Sequence, residues 1–302
     1  MKHVALLLAL LAPTPALAQL PAPWVERALP DRFGQLYGLA CSSDTAFARS
    51  WQGRAARLDE SGWTPLERVP GPGNSGRPLW VSRDGGVLFT STQDAIVRYH
   101  DGAWTAFEAP LGYEYTNQIL SFDGEHAFAV GTGRIVAWSG ARYAPYDPGT
   151  WRQLHAIGGR AEDDLWVGGE AGAVTHFDGD HFTSHRIDTE GTVIQLWTPA
   201  ADDLWAVTER PSHVFHRDGD RWTDRTPRGE HLRVASLGGD ADHVYAVGNF
   251  GVVRWRSGRW ADVHRVEIDR YALPQFTTVC ATATHVVIGE AEHRTWVSPL
   301  PD

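Results

Sequence analysis

Few residues of this chain combine the type and the spacing that chemistry requires. His181 and His185 stand four apart. On a helix that spacing chelates a metal; on a strand it separates the two rings by about 13 Å. His213 and His216 point to opposite faces of a strand by the period-two rule. Asp178-Gly179-Asp180 and Asp218-Gly219-Asp220 look like calcium half-sites. No third carboxylate follows them at loop spacing, and tight turns use the same residues. No metal site and no cofactor is expected. A serine nucleophile elbow and a phosphate-cradling glycine loop are both missing from the sequence, so no catalytic residue is assigned. Recognition chemistry remains. Arg77, Gln118, Arg152, Gln195, Arg233 and Gln275 fall at or near the start of inner strands, and Tyr113, Tyr115, Trp151 and Tyr271 fall in the longest connections. Guanidinium and amide groups beside flat rings suit a binding surface, because such rings give contact area with few rotamers to freeze. The alternatives are that the loop aromatics tuck against their neighbours and that the polar residues line a water-filled channel.

A repeat positions these residues. Trp24, Trp63, Trp104, Tyr143, Phe182, Trp222 and Trp260 follow one another at 39, 41, 39, 39, 40 and 38 residues. A second register, Phe47, Leu88, Phe128, Trp166, Trp205, Tyr245 and Val287, steps by 41, 40, 38, 39, 40 and 42. Between the two registers lie a pair of short apolar-rich runs, a Gly-containing turn and then Asp-Gly or Ser-Gly. Asp-Gly between β-prone runs is the strongest short-range hairpin signal, because both central residues tolerate positive φ. A period of about 40 built from four short strands is the signature of a β-propeller blade. The second-register residues are expected to pack between adjacent blades, so most of the 14 tryptophans are core. No stretch keeps a helical period.

The ends of the repeat predict how the ring shuts. The last copy has strands near Phe276 to Ala281, His285 to Ile288 and Arg294 to Ser298, then stops short of a fourth. Trp24 to Leu29 reads as an outermost strand with no blade before it. The N-terminal strand should complete the seventh blade, covering two sheet edges at once. Cys41 and Cys280 are the only cysteines. Both fall on or just after innermost strands of the first and last copies, which are neighbours in a closed ring. A disulfide there closes a very long loop, for about 5 kcal/mol on a chain-entropy argument.

Composition sets the setting. Lys2 and His3, the apolar run Val4 to Leu11 and Ala16-Leu17-Ala18 before Gln19 read as a signal peptide over residues 1–18, cleaved after Ala18. The apolar run is too short to span a bilayer. Residues 19–302 read as one domain, expected to be exported to the periplasm or the medium as a monomer. Lys2 is the only lysine, and the chain carries a net charge of −10. An acidic surface without a basic block argues against nucleic acid and membrane insertion as modes of action.

The unit Asp163-Asp164-Leu165-Trp166-Val167-Gly168-Gly169, followed by Ala173 to Phe182, resembles the repeats of bacterial exported propellers of the BNR and Ycf48-like kind. The turn and its aromatic resemble a degenerate Asp-box of sialidase-type propellers, with Ser139-Gly140 and Ser257-Gly258 replacing the Asp. The resemblance covers Trp24 to about Val297. It implies a seven-bladed propeller of four-stranded antiparallel blades and a binding role more than an activity. The first expectation is a non-enzymatic module that binds a protein or glycan with its funnel-face loops. The alternative is a carbohydrate-active enzyme, a sialidase-like glycosidase or lyase. In that reading Arg77, Arg152 and Arg233 would hold a substrate carboxylate, beside Tyr113, Tyr115 and Tyr271.

Overall fold

A computed structural model describes residues 23–70, 79–91, 95–108, 116–131, 134–140, 142–149, 153–200, 202–229, 231–266, 275–291 and 294–301. Seven four-stranded antiparallel sheets form the ring. The blades open with Leu36–Cys41, Leu79–Val81, Thr116–Leu120, Leu154–Ala161, Thr192–Ala200, Val234–Gly239 and Phe276–Ala281 as innermost strands. Each sheet then steps outward in chain order through the first six blades. The seventh takes Val25–Ala28 as its fourth strand, with Val25 opposite Val297 and Ala28 opposite Arg294. That is the closure expected from the sequence. Among the described residues the only helical turn is Glu170–Gly172.

The sequence pattern accounts for the blades. In two of the hairpin turns both central residues take positive φ, Asp101 with Gly102 and Ser257 with Gly258. This turn matches the twist of the strands it joins. The second-register residues are all buried, from Leu88 and Val287 at 0% exposure to Trp166 at 6%. Large rings fill the wedge between two twisted sheets. In blades four and five the arrangement goes further. His176 stacks on Trp166, 4.2 Å between ring centres, and holds Asp164 at 2.8 Å. His216 stacks on Trp205 at 4.4 Å and holds Asp203 at 2.8 Å.

Side chains stitch neighbouring blades at the inner strands. Gln195 donates to the Leu237 carbonyl and accepts from the Leu237 amide, both at 2.8 Å. Gln118 accepts from Ile157 N–H at 2.9 Å, and Thr278 Oγ1 accepts from Leu39 N–H at 3.2 Å. These strands approach closely: a Cβ on Gly238 would lie 2.3 Å from the Val279 carbonyl oxygen.

Two latches close the ring. Cys41 and Cys280 form the disulfide, with Cα atoms 5.6 Å apart. On the outer side Trp63 Nε1 donates to Thr295 Oγ1 at 2.7 Å, and that hydroxyl donates to the Arg27 carbonyl at 2.6 Å. One tryptophan of the first blade thereby fastens the last blade and its borrowed strand.

Candidate functional site

The end of the ring where the innermost strands begin also carries the turns between second and third strands. In blades four, five and seven the second strand delivers a glutamate there: Glu170, Glu209 and Glu290. In blade six the place falls to Asn249, which is 2% exposed. Its carboxamide accepts from the Arg233 N–H at 2.8 Å and donates to the His231 carbonyl at 3.0 Å. Ser212 Oγ accepts from the Val234 N–H at 2.8 Å. The connection into blade six is thus pinned at three successive points, with His231 at φ 57° and, across from it, Arg210 at φ 53°. Such values are uncommon for residues other than glycine.

This pinning shapes a cleft of about 610 Å³ between blades five and six, lined by Glu209, Arg210, His231 and Arg233 over a floor of Ile194 and Val234. Arg210 pairs with Glu209 at 2.8 Å. The side chains of His231 and Arg233 are exposed and have no acidic partner among the described residues. The volume lies within the range of small-ligand sites. Trp51, in the corresponding turn of blade one, is 42% exposed and meets Tyr37 edge-on at 4.6 Å.

Electrostatics separates two further groups. Burial holds the imidazole of His155, on the innermost strand of blade four, below its ordinary value; Arg210 acts the same way, while Glu170 and Glu209 oppose. Burial thus favours the neutral imidazole of His155 over the imidazolium. Burial pushes the Glu290 carboxyl up against the pull of Arg294. Glu290 is 1% exposed. Arg294 Nη2 lies 2.6 Å from its Oε2, as an ion pair more than an aligned hydrogen bond. Gln275 Nε2 donates to its other oxygen at 3.2 Å.

The sequence-predicted residues divide accordingly. Arg233 stands in the cleft. Gln118 and Gln195 have amides engaged by the neighbouring blade, and Gln275 faces Glu290. Arg77, Tyr113, Tyr115, Trp151, Arg152 and Tyr271 lie outside the described residues. Sequence reasoning passed over Trp51, His155, Glu170, Glu209, Arg210 and His231. A signal for the glutamates was present: Glu170, Glu209 and Glu290 recur at 39 and 81 residues, in register with the blades.

His213 and His216 turn to different partners, as strand geometry requires. His213 holds Asp224 at 2.9 Å and His216 holds Asp203. Asp178 is a turn residue, accepting from the N–H groups of Asp180 and His181. One cluster was not foreseen. Asp123, His126 and Glu162 bring possible ligand atoms within 4.8 Å of one another at the opposite end of the ring. Asp123 already accepts from two backbone N–H groups and from the His126 ring. The Asp123 contact raises the His126 pKa, which favours the imidazolium over a metal ligand. Asp240 and His243 repeat the same turn in blade six.

No protein-family model matches the sequence, and no curated protein matches it. Solved structures do match in fold. Catalytically inactive virginiamycin B lyase from Staphylococcus aureus with quinupristin superimposes with a TM-score of 0.78 at 15% identity, covering 92% of this chain and 99% of that one. YCF48 bound to D1 peptide superimposes with a TM-score of 0.68 at 14% identity, covering 94% of this chain and 100% of that one. The extracellular domain of a hybrid two-component system from B. thetaiotaomicron gives 0.69 at 13% identity, over 92% of this chain and 42% of that one. One of these neighbours is named as a lyase and another holds a peptide.

Proposed function

We propose that this chain is an exported binding module whose ligand lies across the channel mouth, anchored in the cleft between blades five and six. The observation that carries the reading is a loop pinned by hydrogen bonds beside His231 and Arg233, which are exposed and have no acidic partner among the described residues. A fixed backbone presents these groups at little ordering cost, and an exposed guanidinium takes a carboxylate in bidentate fashion. A segment of protein with an acidic side chain or C-terminus suits this chemistry; a glycan acid is the other ligand of the same type. YCF48 with its D1 peptide shows a propeller of similar fold holding a peptide. Arg77, Tyr113, Tyr115, Trp151, Arg152 and Tyr271 join the proposal by their place in the sequence between inner and outer strands. Export is supported by the signal-like sequence of residues 1–18 and by the disulfide, which suits an oxidising compartment.

The test is capture from a periplasmic or culture-supernatant extract by the parent protein and by Arg233→Ala and Trp51→Ala. Each substitution should weaken capture by roughly 1 to 4 kcal/mol, the range for interface anchors. Identical capture by parent and variants, with unchanged melting temperatures, would overturn the assignment to this face.

His155 favours one second reading. An imidazole that burial holds below its ordinary value, in the field of Glu170, Glu209 and Arg210, is the group a lyase or glycosidase at the same mouth would use as a base. Turnover of a glycan or cyclic peptide, lost in His155→Ala with the fold retained, would move the conclusion to an enzyme.

A further inference from the structure

A second cleft lies on the outer flank of blade six, away from the channel mouth. It is about 540 Å³ in volume, between the outer two strands of that blade and the linker arriving from blade five. Four arginines line it, Arg225, Arg228, Arg259 and Arg265, with two aspartates, Asp224 and Asp262. Both carboxylates are committed. Asp224 holds His213 at 2.9 Å and Thr226, and Asp262 lies 3.7 Å from Arg265. Arg225, Arg228 and Arg259 have no acidic partner among the described residues. The Arg225 Nε is buried without a hydrogen bond. On a chain of net charge −10, this concentration of unneutralised positive charge is a local reversal. Like charges so gathered repel one another until an anion joins them.

The floor is aromatic. Trp255 and Trp260 stand at 67° with ring centres 5.2 Å apart, making an apolar corner under the guanidiniums. The Trp260 ring N–H is held by the Arg225 carbonyl, and the Arg225 guanidinium lies 5.6 Å from the Trp255 ring centre. The corner is therefore fixed before any ligand arrives. We propose that this cleft is a binding site for an acidic saccharide of the uronate kind. Its anionic group would sit on Arg225, Arg228 and Arg259, and the C–H face of its ring on the indoles. A bare inorganic anion has no use for the aromatic corner. A membrane surface calls for protruding apolar groups, and here the rings are recessed. Arg is the residue suited to both tasks, pairing with a planar anion and stacking on rings. The site is independent of the channel mouth.

The experiment titrates the purified protein with trigalacturonate, maltotriose and sodium sulfate, following heat and tryptophan fluorescence. Trigalacturonate should bind and alter the emission of the corner, with maltotriose about tenfold weaker or worse. Arg228→Gln with Arg259→Gln, both at exposed positions, should weaken trigalacturonate by about tenfold, one charge-assisted contact or more. Arg233→Ala at the channel mouth should leave it unchanged. Raising salt from about 50 mM to about 500 mM should weaken it further. The proposal falls if trigalacturonate does not bind, if maltotriose binds equally well, or if sulfate alone binds and the saccharide cannot displace it. It falls equally if the double arginine variant, with an unaltered melting temperature, binds as the parent does.

Discussion

Removing the inner latch gives the most quantitative prediction. Cys41 and Cys280 are separated by 239 residues, nearly the whole ring. For a closed loop of that length the chain-entropy relation gives about 18 cal/mol/K, or about 5.5 kcal/mol at room temperature. The unfolding entropy of a domain of roughly 280 residues is about 0.6 kcal/mol/K, so the melting temperature should fall by about 9 °C. Two constructions of the unlatched protein are informative together: the reduced parent, and Cys41→Ala with Cys280→Ala. Both sulfurs pack in the cluster with Leu36, Phe33 and Val287, and the reduced parent keeps that packing. If the stabilisation acts through the unfolded chain, the two should lose similar amounts. Their urea unfolding should also steepen, because the unlatched chain expands further. The assay is urea and thermal unfolding followed by tryptophan fluorescence. A fall below about 2 °C, or an unchanged urea slope with a loss confined to the alanine variant, would refute the argument. The first outcome would mean that the outer latch at Trp63, Thr295 and Arg27 already holds the ring; the second, that the loss is only packing.

Trp205, 2% exposed against His216, Trp255 and Trp260, should cost roughly 3 to 5 kcal/mol when replaced by Ala; Arg233→Ala should leave the melting curve in place. Deleting residues 23–29 uncovers Arg294–Pro299 as a free edge, and static light scattering should report concentration-dependent association. Burial makes the folded protein hold the Glu290 proton more tightly than the unfolded chain does. The residue therefore withdraws stability as pH rises above the ordinary value of 4.5. Urea midpoints of Glu290→Gln should decline less steeply than those of the parent from that pH towards neutrality. A parallel decline would show that Glu290 is not the group responsible.

The sequence by itself determined the ring. Turn chemistry and strand alternation are local, so an aromatic after an Asp-Gly or Ser-Gly turn in six copies, with Trp24 as the seventh aromatic of the same period, was enough to define blades and count them. Closure followed from counting too, since a copy lacking one strand and a strand lacking a copy have one economical solution. The disulfide was legible for the same reason: two cysteines in equivalent strands of the first and last copies become neighbours once the ring shuts. The candidate site was only partly legible. Arg233 could be placed at the mouth from its position before an inner strand. The roles of Gln118 and Gln195 could not, because their bonding partners, Ile157 and Leu237, are about one blade away. His155 owes its altered proton affinity to burial and to Glu170, Glu209 and Arg210 on two blades, and Arg225 meets Trp255 and Trp260 only where a linker crosses the next blade's face. Periodicity says which residues repeat, whereas a site is made where the repeats differ. Which of those differences meet was decided by the angle and distance at which one blade packs on the next.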